Sequence, residues 1–122
     1  MPQRLLVAQQ LASILAVIAH PHRIRLIEEL GSGELDVQGI TEALGLAQSS
    51  VSQHLAQLRA KGIVCSRREG HHVFYKLREP WLARWLLDGF RLLELQGQDS
   101  AQLMAAAQVA RKLWVGGEEK TK

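Results

Sequence analysis

Apolar residues recur at Leu5, Val7, Leu11, Ile14, Leu15 and Ile18, so residues 5–19 read as a helix that is greasy over most of its circumference. One small domain seldom covers a face that wide, which points to a subunit interface. Gln9, Ser13, Ala16 and His20 trace a single polar or small stripe along it. Pro21 suits the first turn of a second helix, with Ile24, Leu26, Ile27 and Leu30 as its core face and Gly31 as its stop. Asp36 is placed to cap a short third helix through Leu44, which turns Val37, Ile40 and Leu44 inward. Gly45 follows where a left-handed residue is wanted. A fourth helix, from near Gln48 to Lys61 and closed by Gly62, carries Val51, Leu55 and Leu58 as one inward stripe. The β-prone runs "IVCSRR" and "HHVFYKL" flank Glu69-Gly70 and predict a hairpin with Gly second in its turn. Pro80 opens a fifth helix whose expected apolar side is Trp81, Leu82, Trp85, Leu86, Phe90 and Leu93. "QGQD" (96–99) breaks it, and Asp99 with Gln102 resembles a capping box for an Ala-rich last helix to about Trp114.

Length changes this picture little: 122 residues make one domain, expected over 1–115, with "GGEEKTK" (116–122) as a flexible tail. Charge changes it more. The net formal charge is only +3, but its distribution is uneven. From Glu28 to Leu46 there are five acids and no Lys or Arg; from Ala47 to Arg78 six cations face one acid, Glu69. Such a local excess is what a surface meeting phosphates shows, and a solvated basic face is the bland alternative. The single cysteine, Cys65, excludes an internal disulfide framework and fits a reducing, cytoplasmic setting. Arg4 followed by "LASILAVIA" (11–19) imitates a short signal peptide. Gln9, Gln10 and Ser13 interrupt that run and no small-x-small cleavage site follows, so the helical reading is kept. No run is long enough to span a bilayer.

Helix, tight glycine turn, helix and basic hairpin outline a winged helix-turn-helix: mainly α with a small β wing. The inward stripe of the fourth helix leaves Ser49, Ser50, Ser52, Gln53 and Gln57 outward, with Gln48 at the start. Short hydroxyls and amides let a helix lie close in the major groove, donate to phosphates and hydrogen-bond base edges. A face serving only solvation more usually carries Glu and Lys; here no acid occurs between Gln48 and Lys61. Arg67, Arg68, His71 and His72 cluster at the hairpin tip, within reach of backbone or minor groove.

The segments "AHPHRIRLIEEL", "GITEALGLAQSSVSQHLAQLRAKGIV" and "SRREGHHVFYKL" resemble the ArsR/SmtB family of small dimeric bacterial repressors, in register over roughly residues 14–77. The resemblance implies a winged-helix homodimer, joined through its N- and C-terminal helices, on a palindromic double-stranded DNA operator, usually released when an inducer binds. It places groove-reading positions on Gln48, Ser49, Ser52 and Gln53, and wing positions on Arg67, Arg68 and the residues after Gly70. It also exposes a departure. Many metal sensors in the family read "ELCVCDL" in the third helix, where thiolates grip soft ions. This chain reads "ELDVQGI" (34–40), and Asp36 with Gln38 cannot replace two thiolates. Other members bind zinc through paired Asp and His on the helix after the wing; here that helix has Asp88 and no His. No cofactor and no metal is therefore expected, and the inducer is left open.

Spacing limits the other candidate chemistry. His20 and His22 lie two apart across a helix start and do not share a helical face. Cys65 and His72 could share a hairpin face, but two ligands are too few for zinc. The acids Glu28, Glu29 and Glu34 read as a solvated face. His54, beside the inward stripe, reads as a packing or phosphate residue. Arg67 and Arg68 could lower the thiol pKa of Cys65, yet a reversible thiol sensor needs a resolving cysteine that this chain lacks. Ser50 and His54 at i, i+4 form a common helix-surface pairing, and nothing else suggests an enzyme. The main rival to a DNA-binding repressor is a winged-helix interaction module that does not bind DNA.

Overall fold

The computed structural model describes residues 2–96, 101–103 and 105–109. Helix α1 (Pro2–Ile18) meets α2 (Pro21–Leu30) at an angle of 89°. Extended backbone at His20 lets its Nδ1 accept from the backbone N–H of His22 at 3.1 Å, and Pro21 then occupies the first turn where no N–H is needed. Strand β1 (Leu35–Asp36) leads directly into α3 (Val37–Leu44), followed by α4 (Gln48–Ala60), β2 (Val64–Glu69), β3 (His72–Leu77) and α5 (Trp81–Gln96). Residues 101–103 and 105–109 are helical as well. Asp99 of the expected capping box, Trp114 and the expected tail at 116–122 lie outside the described residues.

Leu26 and Ile27 of α2, Ile40 of α3, and Val51, Leu55 and Leu58 of α4 are fully buried together with Val64 of β2. Each such side chain contributes roughly 1.5–3 kcal/mol on leaving water. The core thus sits where three helices meet one end of the sheet. Asp36 caps α3 as the sequence predicts, its Oδ1 accepting from Gly39 N–H at 2.8 Å. Gly45 adopts φ +66° and returns its N–H to the carbonyl of Thr41, which tightens the α3–α4 turn.

Two expectations need correction. The sheet has three antiparallel strands in the order β1-β3-β2, because Leu35 pairs with Tyr75 and Asp36 with Phe74. The hairpin turn is Gly70-His71, with Glu69 opposite His72 and Gly first at φ +62°. Glycine supplies the positive φ that a type II′ turn wants at its first central position. The apolar side of α5 is divided between the core and the surface. Ala83 and Leu87 are its buried residues, Leu82, Leu86 and Phe90 pack at the margin, and Trp81, Trp85 and Leu93 are exposed. A Cβ on Gly31 would stand 2.8 Å from the Ala83 Cβ, so α5 packs this closely only because that position is bare.

Helix α1 leaves Leu5, Leu6, Val7, Leu11, Ile14 and Leu15 exposed and buries only Ile18. The wide apolar circumference read from its periodicity is therefore largely uncovered. No single helix among the described residues is long and apolar enough to cross a membrane.

Candidate nucleic-acid interface

The inner stripe of α4 anchors it with Val51 and Leu58 at 0% exposure and Leu55 at 1%. That anchoring determines what faces out: Gln48, Ser49, Ser52, Gln53 and Gln57 are all exposed, and Ser50 is half-buried. The N-cap is Ala47, which makes no side-chain cap. The first amides of α4 therefore keep donor capacity at the same end as Gln48 and Ser49, where the helix dipole favours an anion. The C-terminal end is closed by Gly62 at φ +71°, with Ile63 N–H returning to the carbonyl of Leu58.

The wing divides its cations. Arg67 donates from Nε and Nη2 to Glu34 at 2.7–3.0 Å and from Nη1 to Glu69 at 2.6 Å. Its guanidinium also lies 4.6 Å from the centroid of Phe74, its cross-strand partner. Donating to Glu34, and then to Glu69, raises the pKa of Arg67, and accepting that hydrogen bond from Arg67 lowers that of Glu34. His72 places Nδ1 3.3 Å from Oδ2 of Asp36. Arg68 and His71, by contrast, are exposed, with no ion pair given to either among the described residues. Neighbours alternate across a strand, so Arg68 lies on the opposite face from Arg67.

Sequence reasoning missed the partners. Glu34 and Asp36, read as a solvated acid and a cap, fasten the wing to the segment that begins α3. A two-residue strand leaves no periodic signal by which they could have been found. The reading of His20, His22 and His54 also changes: their ring centroids lie 4.7–5.8 Å apart, although 31 residues separate Arg23 from its acceptor His54. Cys65 is half-buried opposite Lys76, Gln38 donates to Glu42 at 3.3 Å, and Asp88 is exposed. Among the described residues no group of three His, Cys, Asp or Glu is arranged to hold a metal.

Comparison with known proteins identifies the family. The pattern of the "Bacterial regulatory protein, arsR family" matches residues 20–66, which run from the cap of α2 into β2. The chain is 40% identical over 77 residues to the biofilm growth-associated repressor of Agrobacterium fabrum, covering 63% of this chain and 66% of that one. The match therefore spans just under two thirds of that relative. The crystal structure of the transcriptional repressor BigR from Xylella fastidiosa superposes with a TM-score of 0.66 at 31% identity, covering 75% of this chain and 93% of that one. The homodimeric winged helix-turn-helix DNA-binding domain Mb0332 of Mycobacterium bovis gives a TM-score of 0.63 at 25% identity, covering 81% and 88%. Element order, the bare-polar face of α4 and these likenesses lead to one conclusion: the chain is a winged helix-turn-helix protein of the arsR family of bacterial transcriptional regulators.

Proposed function

We propose that this protein is a homodimeric, sequence-specific, DNA-binding repressor of the cytoplasm, acting without the family's usual metal sites. The observation that carries the reading is the outer face of α4: five exposed hydroxyl or amide side chains, no acid, and a helix start without a side-chain cap. Gln48, Ser49, Ser52 and Gln53 read base edges in the major groove, with Ser50 and Gln57 at its margins. Arg68 and His71 meet the DNA backbone from the wing tip. Arg67 and His72, named with them from sequence, act by holding the wing in place.

The uncovered apolar residues of α1, with Trp81, Trp85, Leu92, Leu93 and Leu95 of α5, supply the surface on which a second copy docks. A two-fold dimer presents its two α4 helices to successive major grooves, about 34 Å apart on a palindromic operator. The homodimeric relative from Mycobacterium bovis supports this arrangement.

The test is a gel shift of the folded protein against DNA upstream of its own gene, at low salt and over a salt series. Sequence-selective binding whose affinity falls steeply with salt is expected. A folded dimer that shifts no DNA at low salt would identify an interaction module instead.

A further inference from the structure

Three imidazoles and a guanidinium meet where α1, α2 and α4 converge. Arg23 on α2 donates from Nη1 to the carbonyl of Val17 on α1 at 2.9 Å, and from Nε to Nδ1 of His54 on α4 at 3.1 Å. One side chain thus joins the last turn of the helix with the uncovered apolar face to the helix with the polar reading face. His54 is half-buried and next in sequence to Gln53. The His20 ring packs on it at 4.7 Å and the His22 ring at 5.8 Å.

The tautomers follow from these partners. Nδ1 of His54 faces an N–H donor, so it presents a lone pair and the neutral ring keeps its proton on Nε2. Nδ1 of His20 likewise accepts from the backbone N–H of His22. This pattern argues against a metal centre. An imidazole bound through Nε2 keeps its proton on Nδ1 and donates it, but both Nδ1 atoms already face donors. A proton is a different matter. Protonated, His54 would turn an N–H toward Arg23 Nε–H and set cation against cation. The groups bearing on the ring are His20 from the α1–α2 junction, and Arg23 and His22 from α2; none comes from α3 or β2, which also pack on α4. Among the described residues no carboxylate ion-pairs with any of these imidazoles. Burial, then His20, Arg23 and His22, hold His54 below its ordinary pKa of 6.5.

We propose that Arg23 and His54 are positioning residues for DNA reading, and that uncharged His54 is needed to hold α4 against α1 in its reading pose. Acidification breaks the tie and releases DNA. The inference rests on the repressor reading above. It is tested with a duplex enriched from random-sequence DNA on the wild-type protein at about pH 7.5, where His54 is uncharged. Binding of that duplex is then followed down to about pH 5.5 for wild type, His54→Asn and Arg23→Met. Asn keeps an acceptor near the Nδ1 position and takes up no proton, while effects of the other histidines remain in all three proteins. Wild type should lose at least about fivefold more affinity than His54→Asn over this range, the low end of ordinary coupling between sites. Arg23→Met should bind more weakly at high pH and show the flatter profile of His54→Asn. Coincident profiles for wild type and His54→Asn overturn the inference while leaving the repressor reading intact. If no duplex is enriched, the repressor reading fails and takes this inference with it. Nitrogen NMR of the wild-type imidazoles tests the premise without any variant: His54 should carry no proton on Nδ1 and titrate below 6.5. A His54 that titrates at or above that value overturns the inference.

Discussion

The reading helix and the wing carry the same kind of sequence signal and come out differently in three dimensions. On α4, burial of Val51, Leu55 and Leu58 turns Gln48, Ser49, Ser52, Gln53 and Gln57 out to solvent. On the wing, strand alternation separates Arg67 from Arg68, and β1 brings Glu34 to the first of them. A cation counts toward phosphate binding only if its donors are free. Local charge density therefore overstates the wing. The contrast also assigns two jobs to "ELDVQGI", whose Asp36 caps α3 with Oδ1 and approaches His72 with Oδ2.

The sharpest way to break this contrast is to remove what orients α4. Leu55→Ala should cost about 3 kcal/mol of unfolding free energy in urea, the usual result of truncating a fully buried leucine. A loss within a few tenths of a kcal/mol would mean that the stripe does not determine which face reads. On the outer face, Ser49→Ala and Gln53→Ala should leave stability nearly unchanged while discrimination at the contacted base pairs falls by about 1–3 kcal/mol. Competition between matched and mismatched duplexes measures this directly. Between the two wing arginines the expected difference is qualitative. Arg68→Ala should reduce the slope of log affinity against log salt by about one counterion. Arg67→Ala should leave the slope alone and speed amide exchange in β2 and β3. Equal slopes for both variants would return Arg67 to the DNA surface.

The smallest expected effect is a pH dependence of stability that α4 has and the wing arginines lack. Because His54 is held below 6.5 in the folded state, the unfolded chain binds a proton first as pH falls. Its contribution is fully present above 6.5 and is lost as pH drops from there through the lowered folded value. Urea midpoints should therefore decline more steeply on acidification in wild type than in His54→Asn. Parallel declines would place the destabilising titration elsewhere.

Much of the fold was legible because its signals are local. Helical periodicity, Pro21 and Asp36 at helix starts, and glycines at φ +66° and +71° each act within a few residues. The polar face of α4 was legible for the same reason, since knowing the buried stripe of a helix gives the opposite face. What escaped was non-local or too short to repeat. Strand β1 has two residues, and its pairing with β3 depends on the chain returning after nearly forty positions. The turn was misplaced by one residue because either neighbour of Gly70 could complete it, and only the pairing of Glu69 with His72 decides. On α5, the apolar side reads as one stripe in the sequence, but the structure divides it between core and surface. The approach of Ala83 to Gly31 turns a flatter side to the core and leaves the large rings outside.

The amino-acid sequence by itself determined a winged helix-turn-helix whose fourth helix presents a polar outer face, since hydrophobic period and capping chemistry leave that order of elements little freedom. Tertiary structure alone decided which polar groups are spent on one another. Glu34 takes Arg67 out of the phosphate-binding set, and Arg23 reaches across three helices to His54. Both are side-chain meetings between distant segments, and the energies that settle them are felt only after the core has brought those segments together.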